Sequence, residues 1–297
     1  MIDELSALER IRERFQKVSK SVCIGIGDDT AAVKIHPERL LLASTDSQVE
    51  DVHFIKKLIS ASDLARRSVA VSASDIGAMG GIAKFFLASV GFSSEEDEGF
   101  LEELMDGFES GANEFGLELI GGNLSSSNKI FIDITVLGEV EPQLVVKRNG
   151  AKPGDLVYVS GTVGDSALGH KLLVSSDIAE SDEYLIMKHK RPQPRLILGR
   201  ELAKKRLISS MIDISDGLIL DLERISLKQG LGAKIYVDRI PLSSSYKRRI
   251  TDFSEDTYSI ALSGGEDYEL LFSSPKDNEQ EIQELSRIQK IRITEIG

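Results

Sequence analysis

Residues 63–92 read DLARRSVAVSASDIGAMGGIAKFFLASVGF, and they set the architecture of the N-terminal half. After Asp63, which is suited to a helix start, small and apolar residues recur at intervals of four and three: Ala65, Val69, Ser72, Ile76 and Met79. This spacing places them on one face of a helix, which Gly80-Gly81 then ends. We predict a strand directly afterwards, over residues 84–92.

The sequence on both sides of this segment extends an α+β pattern. Residues 40–46 are apolar and then polar, which is typical of a buried strand that runs into a turn. A helix is predicted over about residues 96–115, with one apolar face formed by Leu101, Leu104, Phe108 and Phe115. Strands are predicted over 117–120 and 130–136, and the second alternates apolar and polar residues.

A crossing between two domains is predicted at residues 141–155 (EPQLVVKRNGAKPGD), where prolines, glycine and charge are combined. The predicted domains are therefore 1–140 and 141–297, both of α/β class. In the second domain, strands are predicted over 156–160, 210–214, 234–237 and 268–272, and helices over 165–173, over 217–229 and on both sides of Arg191-Pro192.

The composition argues against several classes of protein. A formal charge of −12 excludes nucleic acid or an anionic membrane as the main partner. No apolar run approaches the roughly 20 residues that are needed to span a bilayer. Cys23 is the single cysteine, so no internal disulfide framework can form, and we expect a cytoplasmic protein.

Aspartates beside glycine or other small residues mark the candidate site. They fall in four segments: 25–29 (GIGDD), 44–46 (STD), 74–75 (SD) and 213–217 (DISDG). Carboxylates at turns and strand ends suit hard cations, which need several oxygen ligands. Asp213 and Asp216 lie at a predicted strand-to-helix junction, where both can converge on one ion with the Ser215 hydroxyl beside them.

Each aspartate also has a purely structural interpretation. Asp28-Asp29 fits a turn, Asp46 an Asx-turn, and Asp216 an N-cap that contributes about 1 kcal/mol. Asp75 is harder to explain in this way, because a half-buried carboxylate on a largely apolar helix is costly without a partner. Taken together, the turn-borne aspartates favour a site for several metal ions.

The usual phosphate-binding motifs are absent: there is no G-x-x-x-x-G-K-[ST] and no G-x-G-x-x-G after a strand. A nucleotide enzyme without them must neutralise triphosphate mainly through Mg²⁺. Residues 161–165 (GTVGD) either present backbone N–H groups to an anion or form a plain connection. Lys147 and Arg148 are either phosphate contacts or solvated loop charges. His53 has no serine or cysteine framework around it that would form a catalytic triad.

Eight motifs cover nearly all of residues 20–297: GIGDDTAAV (25–33), STDSQVEDVHF (44–54), SASDIGAMGG (72–81), LIGGN (119–123), RNGAKPGD (148–155), SGTVGDSALG (160–169), DISDGL (213–218) and ALSGGEDYEL (261–270). In this order they resemble the thiamine-monophosphate kinase family. The resemblance implies the two-domain α/β fold of the aminoimidazole ribonucleotide synthetase-like superfamily. It also implies a homodimer in which the N-terminal sheets pair to form a barrel.

The same resemblance implies ATP- and Mg²⁺-dependent phosphorylation of thiamine monophosphate to thiamine diphosphate. It implies these metal ligands: Asp29, Ser44, Thr45, Asp46, Asp75, Asn123, Asp213 and Asp216. Among them, Asp75, Asp213 and Asp216 are expected to be catalytic. ATP is expected to contact the Gly121-Gly122 turn, Arg148 and Ser215, and the thiamine phosphate to contact His53 and Glu266.

Two features depart from the family pattern. Asn123 stands where many members carry aspartate, so one metal ion is expected to bind more weakly. Members usually continue beyond the position of Gly297, through a hairpin to an aromatic residue near the substrate ring. Two alternatives stay open at this point: another ATP-dependent synthetase of the superfamily, or a non-catalytic protein that binds a nucleotide or thiamine phosphate.

Overall fold

The computed structural model describes residues 10–15, 19–24, 32–93, 96–175, 178–226, 230–254 and 256–297. The chain divides into two compact units: Met1–Ile76 with Ile82–Pro142, and Gly77–Gly81 with Gln143–Gly297. Each unit combines helices with a four-stranded sheet, which confirms the α/β class predicted from the sequence. In the described residues, no helix is both long and apolar enough to cross a membrane.

The first unit contains two long helices and a four-stranded sheet, and the strands of the sheet come before, between and after these helices in the chain. In chain order the elements are β1 (Val22–Ile24), β2 (Ala32–Val33), β3 (Leu40–Val49), α1 (Ala61–Ala78), β4 (Ile82–Phe92), α2 (Glu98–Phe115), β5 (Glu118–Ser126) and β6 (Phe131–Val140). The larger sheet has the order β3-β6-β4-β5, in which β4 and β5 are parallel and the other neighbours antiparallel. β1 and β2 form a separate antiparallel pair.

Alternation along β6 accounts for the packing of this sheet. Every second side chain is buried, and these include Ile132, Ile134 and Val136. Because successive side chains of a strand face opposite sides of a sheet, the predicted alternation is confirmed and gives the sheet one apolar face. The Phe108 ring of α2 lies 6.2 Å from the Phe86 ring of β4, so α2 packs against the sheet.

Two predictions about the first unit are wrong in detail. α1 begins at Ala61, and the hydroxyl of Ser60 accepts the N–H of Asp63 at 3.1 Å, so Ser60 takes the capping role given to Asp63. The Gly121-Gly122 turn is instead part of β5. A Cβ at Gly122 would lie 1.9 Å from the carbonyl oxygen of Ala88, so glycine is required there by the close approach of β4.

The second unit contains a fully antiparallel sheet with the order β10-β7-β9-β8. Its elements are β7 (Leu156–Ser160), α3 (Asp165–Ser175), α4 (Glu183–Lys190), α5 (Leu196–Lys204), β8 (Ser210–Asp213), α6 (Leu218–Ser226), α7 (Ser244–Arg249), α8 (Ser259–Ser263), β9 (Leu270–Ser274), α9 (Glu279–Gln289) and β10 (Ile293–Glu295). The break that was predicted at Arg191-Pro192 is confirmed, because it separates α4 from α5.

Two strand predictions in the second unit need correction. Residues 231–236 have no regular secondary structure and Val237–Arg239 forms a 3-10 turn, so the strand predicted over 234–237 is wrong. Tyr236 donates its N–H to the Ile296 carbonyl at 2.7 Å, but the chain does not extend this contact into a ladder. β9 begins at Leu270, because Tyr268 has a φ of 52°, which a strand cannot accommodate.

Candidate functional site

The first unit brings together Asp46 and Asp75, which come from two of the four acidic segments. Ser44 and Asp46 are alternate residues of β3 and therefore share a face. Asp75 lies one turn after Ser72 on α1, so these two side chains also share a face. The Ser44 hydroxyl donates a hydrogen bond to Oδ2 of Asp75, and a side-chain hydrogen bond joins Ser72 to Asp46.

Electrostatics make this pair of carboxylates unfavourable as it stands. Burial, and then the neighbouring charge of Asp75, raise the pKa of Asp46 to about 6, although the hydrogen bond from Ser72 partly opposes the change. A cation between the two carboxylates would relieve their repulsion. Ser72 was assigned only to the apolar stripe of the helix. Its spacing of three residues from Asp75 was the available signal for a role in the site.

Two other predicted ligands of the first unit lie apart from this pair. The Thr45 side chain is on the opposite face of β3 and accepts a hydrogen bond from the Thr135 hydroxyl at 3.2 Å. Asn123 lies in β5, at the other edge of the sheet from β3, and three strand spacings correspond to about 14 Å. Its amide donates to the Ser125 hydroxyl at 3.2 Å. Within one chain, the sheet therefore does not bring Asn123 beside Asp46.

His53 is placed by the turn that follows β3. The ring Nδ1 of His53 accepts the backbone N–H of Val49 at 3.1 Å, and the backbone N–H of His53 donates to the Val49 carbonyl at 2.9 Å. Because Nδ1 is an acceptor here, the neutral ring carries its proton on Nε2. The ring is exposed, so Nε2 can donate to a ligand.

In the second unit, the DISDGL motif forms the end of β8 and the turn into α6. Asp213 is buried at the end of β8. The N–H groups of Ser215 and Asp216 both donate to Oδ2 of Asp221 at 3.0 Å. Asp221 is fully buried, and its carboxylate organises the turn. Because α6 begins at Leu218, Gly217 and not Asp216 stands at the N-cap position, so the N-cap role considered for Asp216 is wrong. Gly217 has a φ of 114°, which restricts the position to glycine.

Arg224 holds the Asp216 carboxylate at this turn. Its Nη1 lies 2.5 Å from Oδ2 of Asp216 and 2.7 Å from Oδ1 of Asp221. In the described residues, no group of three or more acidic, histidine or cysteine side chains is arranged to hold a metal ion. The predicted convergence of Asp213 and Asp216 on one ion therefore requires Asp216 to exchange Arg224 for the ion. Asp29, another predicted ligand, lies outside the described residues.

The GGEDYEL motif runs beside this turn. Glu266 donates its N–H to the Ser215 carbonyl at 2.8 Å, and Tyr268 donates its N–H to the Ile214 carbonyl at 2.9 Å. Glu266 has a φ of 66°, an uncommon conformation for a residue other than glycine. Asp213, Ser215, Asp216 and Glu266 are therefore brought together by two adjacent loops.

Arg148 belongs to a separate part of the second unit. It lies in a 3-10 turn, Arg148–Gly150, and its side chain is exposed. The turn is held against the chain just before β8, since a Cβ at Gly150 would lie 1.8 Å from the Ser209 carbonyl oxygen. The Arg148 guanidinium is therefore exposed to solvent, while the backbone of its turn is packed closely against Ser209.

Two buried carboxylates that follow Glu266 in the chain have roles that the sequence did not reveal. Asp267 accepts the N–H of Gly164 at 2.6 Å and that of Ser166 at 3.1 Å. The N–H of Gly164, one of the backbone donors that were considered for an external anion, is therefore used by the side chain of Asp267. Glu269 accepts from Arg195 Nε at 2.6 Å and lies 3.4 Å from Lys188 Nζ. Burial opposes its ionisation, but the charges of Arg195 and Lys188 lower the pKa of Glu269 overall.

Asp267 should make the stability of the protein depend on pH. Burial raises its pKa from 3.8 to about 8, against the opposing hydrogen bonds from Gly164 and Ser166. Between these values the folded state holds a proton that the unfolded state has lost, so stability falls as pH rises from about 4 to 8. One such proton contributes at most about 1.4 kcal/mol per pH unit. We expect Asp267→Asn, which mimics the protonated acid, to flatten this decline in urea unfolding at several pH values; an unchanged slope would contradict it.

Comparison with known proteins places this arrangement in a family. The family model for the N-terminal domain of AIR synthase related proteins matches residues 27–140, and the model for their C-terminal domain matches residues 152–297. The thiamine-monophosphate kinase of Salmonella typhimurium is 37% identical over 278 residues, which are 93% of this chain and 83% of that protein.

Solved structures agree with this assignment. Thiamine-monophosphate kinase from Stenotrophomonas maltophilia K279a has a TM-score of 0.90 and 29% identity, over 100% of this chain and 93% of that chain. A structure of AaThiL complexed with AMPPCP and TMP has a TM-score of 0.80 and 32% identity, over 99% of this chain and 89% of that chain. The fold implied by the eight motifs is confirmed. The chain therefore belongs to the AIR synthase related proteins and, within them, to the thiamine-monophosphate kinase family.

Proposed function

We propose that this protein transfers the γ-phosphoryl group of ATP to thiamine monophosphate and so forms thiamine diphosphate. The observation that carries the proposal is the similarity to AaThiL, whose structure contains AMPPCP and TMP and which matches 99% of this chain. The acidic candidate residues support it, because a site rich in carboxylates can bind two phosphorylated ligands only with the help of cations.

Mg²⁺ fits the donor set that the first unit presents. Asp46 and Asp75 offer carboxylate oxygens beside the hydroxyls of Ser44 and Ser72, and no soft ligand is part of this group. Burial and then repulsion from Asp75 raise the pKa of Asp46, and a bound cation would remove that repulsion. We propose that Asp46 and Asp75 hold Mg²⁺ in the first unit and Asp213 and Asp216 in the second, with Asp29 and Asn123 assigned by family resemblance.

The bound Mg²⁺ would neutralise phosphate charge and so reduce the repulsion between donor and acceptor. The acceptor phosphate is already an anion at neutral pH, so no strong general base is required. We propose direct in-line transfer in which the residues of the protein act by positioning. Arg148, Ser215 and the Gly121-Gly122 segment of β5 would contact ATP, and His53 and Glu266 would contact thiamine monophosphate.

A homodimer is also part of the proposal. Among the described residues, β3 and β5 are the two edges of the first sheet, and a sheet edge of this kind can pair with another copy. Leu40 and Leu41 of β3 are 48% and 50% exposed, and the exposed apolar surface at this edge strand supports its coverage by a second copy of the chain. A cytoplasmic location is supported by the single cysteine among 297 residues.

The proposal is tested by incubating the protein with ATP, Mg²⁺ and thiamine monophosphate, with free thiamine in a parallel sample. We expect chromatography to detect thiamine diphosphate from the monophosphate and no product from free thiamine. Product that forms only when Mg²⁺ is present, and is lost with EDTA, would support the metal assignment. Metal-dependent hydrolysis of ATP without transfer would contradict the kinase assignment and favour a binding protein.

A further inference from the structure

Glu266 differs from the two acidic residues that follow it in the chain, Asp267 and Glu269. Asp267 and Glu269 are buried and engaged by fixed donors, whereas the Glu266 side chain is 32% exposed beside the Ser215 turn. Its left-handed backbone is retained at a cost, and strain of this kind is concentrated at functional positions. Glu266 is thus the carboxylate of this loop that a ligand can reach.

His189 lies against this carboxylate. Its Nδ1 is 3.5 Å from Oε2 of Glu266 and 3.3 Å from the hydroxyl of Ser166. The ring is almost completely buried at the end of α4, and the ring of His170 on α3 lies 4.9 Å away. The histidine is therefore held against α3, and the same Nδ1 that lies near Ser166 also contacts Glu266.

The backbone beneath Glu266 is fixed independently of this contact. Asp267 ties the loop to the start of α3, and Glu269 ties it to Arg195. These anchors act on the residues that follow Glu266 and not on its own side chain, which has several rotatable bonds. A partly exposed glutamate loses rotamer entropy when it binds a ligand, and a contact that holds it beforehand reduces this loss.

We propose that His189 is a positioning residue that orients the Glu266 carboxylate for the acceptor substrate. This inference rests on the proposed function, in which Glu266 contacts thiamine monophosphate. His189 acts through Glu266 and does not itself touch the substrate. Its removal should therefore weaken binding of the acceptor and leave the binding of ATP unchanged.

The experiment compares three replacements of His189 by steady-state kinetics with both substrates varied. Asparagine places a polar group near the Nδ1 position, glutamine places it near the Nε2 position, and leucine removes it. We expect His189→Leu and His189→Gln to raise the KM for thiamine monophosphate about tenfold, with the KM for ATP changed less than twofold. His189→Asn should stay within about threefold of the wild type for both substrates. If the leucine variant fails to fold, the asparagine–glutamine comparison decides the question.

A double-mutant cycle with Glu266→Gln separates positioning from an independent effect. If His189 acts through Glu266, the doubly substituted protein will show the same acceptor KM as Glu266→Gln alone. Effects that multiply, or an unchanged acceptor KM in both His189→Leu and His189→Gln, would overturn the inference while the kinase activity stands. A wild-type protein that forms no thiamine diphosphate would instead overturn the proposed function, and the inference with it.

Discussion

Replacement of Asp75 by asparagine is expected to lower kcat by about 10²–10³-fold, equivalent to about 3–4 kcal/mol of transition-state stabilisation. Asp75 and Asp46 lie side by side, and burial together with the charge of Asp75 disfavours the ionised form of Asp46, which a bound cation would offset. The amide can still accept the hydrogen bond from Ser44, so the first unit should keep its fold. The rate of thiamine diphosphate formation, measured over a range of Mg²⁺ concentrations, should show both the lower kcat and a weaker response to the metal.

Asp63→Asn provides the matched control for this experiment. It makes the same chemical change in the same helix, in the first turn, where a carboxylate contributes at most about 1 kcal/mol through the helix dipole. We expect its activity to equal that of the wild type. Full activity of Asp75→Asn together with full activity of Asp213→Asn would show that these carboxylates do not hold catalytic metal ions.

Replacement of Arg195 by methionine is expected to destabilise the protein by about 3–5 kcal/mol. Arg195 makes two hydrogen bonds to Glu269, through Nε and Nη2, and Glu269 is fully buried. Methionine keeps much of the apolar volume but leaves the buried carboxylate with Lys188, at 3.4 Å, as its remaining cationic neighbour among the described residues. Equilibrium unfolding in urea, followed by circular dichroism, should show the loss as a lower midpoint.

Two controls distinguish loss of the buried pair from loss of any arginine. Arg287→Met removes an exposed pair with Glu284, whose side chains are 75% and 54% exposed, and should cost no more than about 0.5 kcal/mol. Adding Glu269→Gln to Arg195→Met should restore part of the lost stability, because the uncompensated charge is then removed. A doubly substituted protein no more stable than Arg195→Met would show that packing, and not charge, explains the effect.

Local patterns in the sequence predicted most of the secondary structure. The four-and-three spacing of α1 and the alternation of β6 each extend over ten to twenty residues, and each is satisfied by burial of one face. The failures also have local causes. The strand predicted over 234–237 has apolar residues but no ladder, and β9 begins late because Tyr268 adopts a left-handed conformation.

The candidate site was predictable as a set of residues and not as a set of partners. The aspartates were recognisable because they stand beside glycine or other small residues, although Asp46 and Asp75 lie in β3 and α1 and not in turns, and the order of the eight motifs indicated the family. No local pattern shows that Asp267 accepts hydrogen bonds from Gly164 and Ser166, about 100 positions earlier in the chain. Asp221 and Arg224 follow Asp216 closely, but their contacts with it depend on the turn geometry that Gly217 allows.

The sequence by itself determined the family, the two α/β domains and the acidic character of the site. These follow from periodicity and motif order, which are properties of neighbouring residues. Only the tertiary structure decided which charges meet: Asp46 with Asp75, Asp216 with Arg224, Glu269 with Arg195, and His189 with Glu266. The physical reason is that a buried charge is tolerated only beside a suitable partner, and that partner is selected by the packing of helices and strands that are distant in sequence.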